Sequence, residues 1–196
     1  MGRRAVRRRP GRARVVLTRL FVAVYPPPSA LDPLRAALPP SSRLTPLEKW
    51  HLTLVFLGTV AAPSNAAPAE AAAPAAPSRG AAVEQVAAIL GDLPPLGSFE
   101  VRLSGGGRFG SACWAGVDGE LAALSELREG VRDALTLGGF PSDDRPFHPH
   151  LTVSYHPDAA LRQALAGYSG QPWPVTEYSL VRSVDGRYER LGTWAV

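Results

Sequence analysis

The feature that most constrains this chain is a four-residue pattern that occurs twice. His51-Leu-Thr-Leu54 and His150-Leu-Thr-Val153 match at three positions and are aliphatic at the fourth, in a chain with only 4 histidines. Side chains alternate along a strand, so the His and Thr of each copy share one face and the Leu between them points to the other. Each copy therefore predicts a strand that offers one imidazole and one hydroxyl, anchored from behind by apolar residues. Two copies predict two such strands facing each other across a cleft.

Two imidazoles and two hydroxyls on one surface suit acid–base chemistry at phosphorus. Imidazole titrates near neutral pH, so one histidine can take a proton from water while the other protonates a departing alkoxide. The hydroxyls of Thr53 and Thr152 can donate to phosphoryl oxygens, which leaves no step that needs a metal. From the residues alone the two histidines are interchangeable as donor and acceptor. A structural strand histidine would explain one copy, but not the recurrence of the whole four-residue pattern.

Metal binding is the alternative for the second copy, where His148, His150 and His156 lie close together in sequence. Imidazole is a common metal ligand. However, Pro149 separates the first two histidines and no cysteine lies nearby. We therefore expect neither a metal nor another cofactor.

The glycine run at residues 105–107 is a second candidate phosphate site. It lacks the Lys-Ser/Thr of a P-loop and opens no helix, so the sequence predicts only a loop that connects a hairpin. Arg108 and Phe109 follow it, and they are candidates for a phosphate contact and a base-stacking surface, respectively.

The positive charge of the chain is concentrated at its start. Residues 1–17 hold seven of the 21 basic side chains and no acid, so residues 18–196 carry 14 basic against 17 acidic groups, a formal −3. Overall charge is therefore a weak argument for nucleic-acid binding, and a local cluster would be needed. The candidates for that cluster are Arg43, Lys49, Arg108 and Arg145.

Cysteine usage and hydropathy limit the cellular setting. Cys113 is the single cysteine, which excludes an intrachain disulfide and fits a reducing compartment. No apolar run is long enough to cross a membrane. We expect a cytoplasmic monomer.

The order of predicted elements favours an α+β fold with antiparallel sheets, because strands and helices do not alternate regularly. Residues 61–82 contain 12 Ala and 4 Pro, which predicts a flexible surface insertion. Residues 1–18 are expected to be a disordered leader and 19–196 a single domain. Strands are predicted at 20–25, 50–57, 99–103, 112–117, 150–155, 175–183 and 188–196, and helices at 30–38, 82–93, 120–137 and 158–167.

The two motifs and their surroundings resemble the 2H phosphoesterase superfamily, and specifically the RNA 2′,3′-cyclic phosphodiesterases once described as 2′-5′ RNA ligases. That family carries two His-x-Thr-x motifs. The resemblance covers residues 19–196 and is interrupted by the 61–82 segment. It is carried by the stretches 19–24, 50–58, 113–117, 145–152, 178–183 and 188–194.

The resemblance implies a bilobal fold with pseudo-twofold symmetry, in which two mostly antiparallel sheets with outer helices flank a central cleft. It implies hydrolysis of a terminal 2′,3′-cyclic phosphate to a 2′-phosphomonoester without metal. His51 would be the proton donor to the leaving 3′-oxygen and His150 the proton acceptor that activates water. Thr53 and Thr152 would hold the phosphoryl oxygens. The implied partner is an RNA end or a related nucleotide.

The chain departs from the family five residues after the second motif histidine. Many members have an arginine there, whereas this chain has Tyr155 followed by His156. The missing cation could be supplied by His156 or Arg108, and Tyr155 is itself a candidate substrate contact. Two other functions stay open: action on another small cyclic phosphate or joining of 2′-5′ RNA ends, and binding of RNA ends without catalysis.

Overall fold

The computed structural model describes residues 18–59, 79–140 and 145–196. Residues 1–17 of the predicted leader and residues 61–78 of the predicted insertion lie outside these ranges. Within them the chain forms eight strands, four α-helices and a short 3-10 helix at Leu47–Lys49. The strands are β1 (Thr18–Val24), β2 (Leu52–Thr59), β3 (Phe99–Phe109), β4 (Ala112–Gly119), β5 (His150–Ser154), β6 (Trp173–Val175), β7 (Glu177–Val184) and β8 (Arg187–Ala195); the helices are α1 (Pro28–Ala37), α2 (Arg79–Gly91), α3 (Leu121–Leu137) and α4 (Ala159–Ala166).

The strands form one antiparallel sheet in the order β6-β3-β4-β5-β2-β1-β7-β8. The α+β class is confirmed, and each four-stranded half has one motif strand at its inner edge. The two mostly antiparallel sheets that were expected are joined into one, because β2 pairs with β5 at Leu52↔Leu151. The two motifs therefore meet at the seam.

Along each motif, buried side chains alternate with partly buried ones. Leu52 and Leu151 are fully buried, while the flanking motif residues are only partly buried. The apolar side packs against the helices, whose buried leucines repeat at helical spacing. These leucines and valines are Leu34 of α1, Val86 and Leu90 of α2, Leu124, Val131 and Leu135 of α3, and Leu161 and Leu165 of α4.

The glycine run at 105–107 is not the predicted loop, because β3 continues through it to Phe109. A Cβ at Gly107 would lie 2.4 Å from Cζ2 of Trp114, and one at Gly106 would lie 2.6 Å from the Trp114 carbonyl oxygen. Glycine is therefore required for close packing against Trp114. The hairpin turns at Gly110, whose φ of 56° lies in the left-handed region.

Helix α2 and strand β6 also differ from the sequence prediction. Helix α2 begins at Arg79, inside the segment predicted as an insertion, because the alanine-rich stretch after Pro77 contains no further proline. A short strand, β6, precedes the closing hairpin and was not predicted. The closing pair itself is confirmed, with Asp185 and Gly186 both at positive φ in its turn.

Candidate functional site

The structure brings the four motif side chains of the chain to one cleft. His51 and Thr53 flank the buried Leu52, and His150 and Thr152 flank its pairing partner on β5. All four line one cavity of about 360 Å³. The arrangement is what strand alternation predicted from the doubled pattern.

His51 is held by the backbone and by aromatic rings. Its Nδ1 lies 2.7 Å from the carbonyl oxygen of Lys49. Because a carbonyl only accepts, Nδ1 carries the hydrogen and the lone pair of Nε2 is left for the cleft. The imidazole stacks on Phe21 at 4.9 Å between ring centroids and contacts Tyr188 edge-on at 5.5 Å.

The environment of His51 favours its neutral form. The pKa of His51 is lowered to about 4, chiefly by burial; the hydrogen bond to the Lys49 carbonyl opposes this effect, and the electrostatic interaction with His150 adds to it. Near pH 7 the imidazole of the free protein is therefore neutral.

His150 repeats the arrangement of His51. Its Nδ1 lies 2.6 Å from the carbonyl oxygen of His148, again two residues earlier in the chain. Its ring contacts Phe109 edge-on at 5.2 Å and Trp114 at 5.9 Å. Both imidazoles are thus oriented by a preceding backbone carbonyl, and both leave Nε2 for a ligand.

The segment before the first motif ties the two halves together. The backbone N–H of Thr45 donates to the Val153 carbonyl of β5 at 2.8 Å. The indole Nε1 of Trp50 donates to the hydroxyl of Thr45 at 2.9 Å, and the hydroxyl of Ser154 donates to the carbonyl of Arg43 at 2.6 Å. Residues of the first motif block are therefore anchored on the second motif strand.

Of the four residues predicted to contact the substrate outside the motifs, one lines the cleft. Tyr155 lines the cleft and is 56% exposed. Arg108 and His156 are exposed and are not among the residues that line it. Phe109 lines a neighbouring cavity, together with Arg145. The remaining residues of the cleft are Arg19, Phe21, Thr45, Lys49, Phe56, Ala112, Ser183 and Tyr188.

Arg19 and Tyr188 are among the cleft residues that the sequence analysis missed. Arg19 shares a face of β1 with Phe21, two positions later, so strand alternation was the available signal. Tyr188 comes from β8, and its approach to the cleft depends on the order of strands in the sheet. Burial raises the pKa of Tyr188, so its hydroxyl stays protonated and can donate a hydrogen bond.

Neither a metal cluster nor a membrane span is found in the part of the chain that the structure describes. There, no three or more His, Cys, Asp and Glu side chains are grouped so as to hold a metal ion. Every helix in the same ranges is too short or too polar to cross a bilayer.

Comparisons with known proteins point to one family. The family model described as the 2′-5′ RNA ligase superfamily matches residues 23–187. The RNA 2′,3′-cyclic phosphodiesterase of Geobacillus stearothermophilus is 38% identical over 112 residues, which are 55% of this chain and 30% of that protein. The protein of the same name from Escherichia coli K12 is 26% identical over 164 residues, which are 81% of this chain and 82% of that protein.

A solved structure confirms the fold. Escherichia coli LigT complexed with 3′-AMP superposes with a TM-score of 0.63 at 22% identity, covering 92% of this chain and 98% of that chain. The match to the Geobacillus protein spans less than a third of that relative's length, whereas the family model covers most of this chain. On these matches, the chain belongs to the 2′-5′ RNA ligase superfamily.

Proposed function

We propose that this protein hydrolyses the 2′,3′-cyclic phosphate at the end of an RNA to a 2′-phosphomonoester, by a two-histidine mechanism that needs no metal. The observation that carries the proposal is the convergence of both His-x-Thr pairs on one cavity. The names of the relatives, RNA 2′,3′-cyclic phosphodiesterase, support the substrate class.

In the proposed reaction water attacks phosphorus while Nε2 of His150 takes its proton. A new P–O bond forms, the bond from phosphorus to the 3′-oxygen breaks, and His51 gives its proton to that oxygen. The hydroxyls of Thr53 and Thr152 donate to the non-bridging oxygens, where negative charge grows. The product carries a 2′-phosphate and a free 3′-hydroxyl. The assignment of donor and acceptor follows the family resemblance, since the two imidazoles have equivalent backbone contacts.

His51 can act as the proton donor only if substrate binding raises its low pKa. In the free protein a pKa of about 4 leaves His51 without the proton it must donate. A phosphodiester anion bound beside the imidazole favours the charged form and raises the pKa. In this proposal the proton is therefore taken up together with the substrate, so that the acid is formed only in the complex.

Arg19 and Lys49 would supply the positive charge that the family arginine provides elsewhere. Both line the cleft with the two histidines, and Nζ of Lys49 lies 5.7 Å from the ring centre of Tyr188. The ring of Tyr188 also contacts His51. In this proposal the two cations lie beside the bound phosphate and replace the arginine that the family has at the position of Tyr155.

The proposal is tested with an oligoribonucleotide that ends in a 2′,3′-cyclic phosphate, incubated with the wild-type protein and excess chelator. We expect full turnover and a product that carries only a 2′-phosphate, identified by chromatography against both monophosphate standards. A requirement for added metal, or a 3′-phosphate product, would contradict it. Binding of the oligonucleotide without turnover would favour the RNA-end binder instead.

A small cyclic nucleotide is the second candidate substrate. The formal −3 charge of residues 18–196 gives the body little general attraction for a long polyanion. Comparing kcat/KM for a mononucleoside 2′,3′-cyclic phosphate with that for the oligonucleotide separates the two. Equal values would show that the rest of the RNA contributes nothing to recognition.

A further inference from the structure

A second cavity, of about 500 Å³, adjoins the catalytic cleft. The two share Thr53, Phe56 and His150 as a common wall. A molecule whose cyclic phosphate lies between the imidazoles would therefore have its next chemical group at the mouth of this second cavity. A role for this second cavity in substrate binding rests on the proposed function of the cleft.

The walls of the second cavity are largely apolar and aromatic. Phe56 and Phe109 are 53% and 46% exposed, so they present large apolar surfaces to solvent beside the cleft. The ring of Phe109 is fixed by Trp114 at 5.0 Å and by His150 at 5.2 Å. Rings that are exposed yet held in place provide stacking surfaces for a planar ligand.

Arg128 of α3 places a buried positive charge in the wall of this cavity. Its side chain is only 8% exposed and lies 5.0 Å from the ring centre of Phe147. Nη2 reaches only the Arg145 carbonyl, at 3.5 Å, and Nε has no hydrogen-bond partner. Among the described residues, none of the ion pairs includes Arg128. A buried cation without an acid is costly, so an acceptor supplied by a ligand would stabilise it.

The polar side chains that line the cavity are donors or cations: Thr53, Arg128, Arg145, His148 and His150. No carboxylate of the described residues lines it. The occupant should therefore present acceptors, and the apolar walls exclude a bare phosphate, which would lose its hydration there. A flat, acceptor-edged nucleobase satisfies both conditions.

We propose that this cavity is a nucleobase subsite that favours guanine. The base of the nucleoside bearing the cyclic phosphate stacks on Phe109 and turns its acceptor edge toward Arg128. Guanine presents two adjacent acceptors, O6 and N7, which match the fork of a guanidinium. Adenine places an amino donor at the corresponding position, and the pyrimidines offer less stacking area.

The test compares kcat/KM for the four nucleoside 2′,3′-cyclic phosphates and for a base-free analogue, methyl riboside 2′,3′-cyclic phosphate. For the wild-type protein we expect the guanosine substrate to exceed the adenosine substrate by roughly 5- to 150-fold, the range for a bidentate guanidinium contact. Arg128→Met should abolish that preference and leave the base-free substrate within about twofold, since it lacks the base that Arg128 contacts. Phe109→Ala should lower kcat/KM for every nucleoside substrate more than for the base-free one, whose own loss measures the contact of Phe109 with His150.

Arg132→Met is the matched control, because Arg132 lies one turn further along α3 and pairs with Asp133. It should change no substrate preference. Equal kcat/KM for all five substrates of the wild-type protein would overturn the subsite without any variant. If Arg128→Met lowers kcat/KM equally for the guanosine substrate and the base-free substrate, the subsite is also overturned.

The nucleobase subsite can be tested even if the proposed reaction is wrong. If the wild-type protein turns over none of these substrates, the proposed function fails. The subsite is then judged by calorimetry with guanosine and adenosine 2′-monophosphates. Tighter binding of the guanosine compound that disappears in Arg128→Met supports it, and equal binding overturns it.

Discussion

Replacing either motif histidine with alanine is expected to lower kcat/KM for a 2′,3′-cyclic phosphate by roughly 10²- to 10⁴-fold, the usual contribution of a general acid or base. His51 and His150 line the same cleft, and each is oriented by a backbone carbonyl two residues earlier. Groups that act as one unit are not additive, so the double variant should be only slightly worse than the poorer single variant. Steady-state kinetics of the three variants checks this.

A substrate with a better leaving group distinguishes the two roles. Sulfur in place of the bridging 3′-oxygen departs as a thiolate and needs no proton from an acid. We therefore expect this substrate to restore most of the rate of His51→Ala but not that of His150→Ala. Rescue of His150→Ala alone would reverse the assignment of donor and acceptor. A normal rate for either alanine variant with the oxygen substrate would contradict the mechanism.

Replacing Trp50 with alanine is expected to reduce the free energy of unfolding by about 3–5 kcal/mol, the usual cost of removing a large buried aromatic side chain. Trp50 is fully buried, and its indole donates to Thr45, which in turn binds the backbone of β5. The substitution therefore leaves a cavity and also loosens the connection between the halves of the sheet. Chemical denaturation of the two proteins measures the difference.

Two conservative variants separate packing from hydrogen bonding. Trp50→Phe keeps most of the volume but loses the bond to Thr45. Trp173→Phe is the matched control, since Trp173 is 4% exposed and its Nε1 has no partner. We expect Trp50→Phe to cost about 1 kcal/mol more, the net value of one hydrogen bond. Equal losses would show that the bond to Thr45 does not stabilise the fold.

The motif strands were predictable because the signal is local. A period of two places Leu52 and Leu151 behind the cleft, and the structure confirms both as fully buried. The glycine run at 105–107 was predicted wrongly for the opposite reason. Its composition is typical of a loop, but it lies in β3 because Trp114 on the neighbouring strand occupies the space that side chains would fill.

The site was predictable only where its residues lie within the two motifs. Arg19 and Tyr188 come from β1 and β8, so their approach to the cleft depends on the strand order of the sheet. Arg128 was overlooked although it lies four residues after Leu124, on the apolar face of α3. A charged residue at such a position is the sequence signal that could have identified the second cavity.

Following both imidazoles by NMR shows whether the two motifs form one phosphate site. In the free protein His51 should remain neutral down to about pH 4, because burial lowers its pKa. Adding a nucleoside 2′-monophosphate should raise the pKa of His51, since an anion favours the protonated form. The resonances of His51 and His150 should shift together, at the same ligand concentration. A response of only one imidazole, or an unchanged pKa of His51 in the saturated complex, would show that the two motifs do not bind one phosphate together.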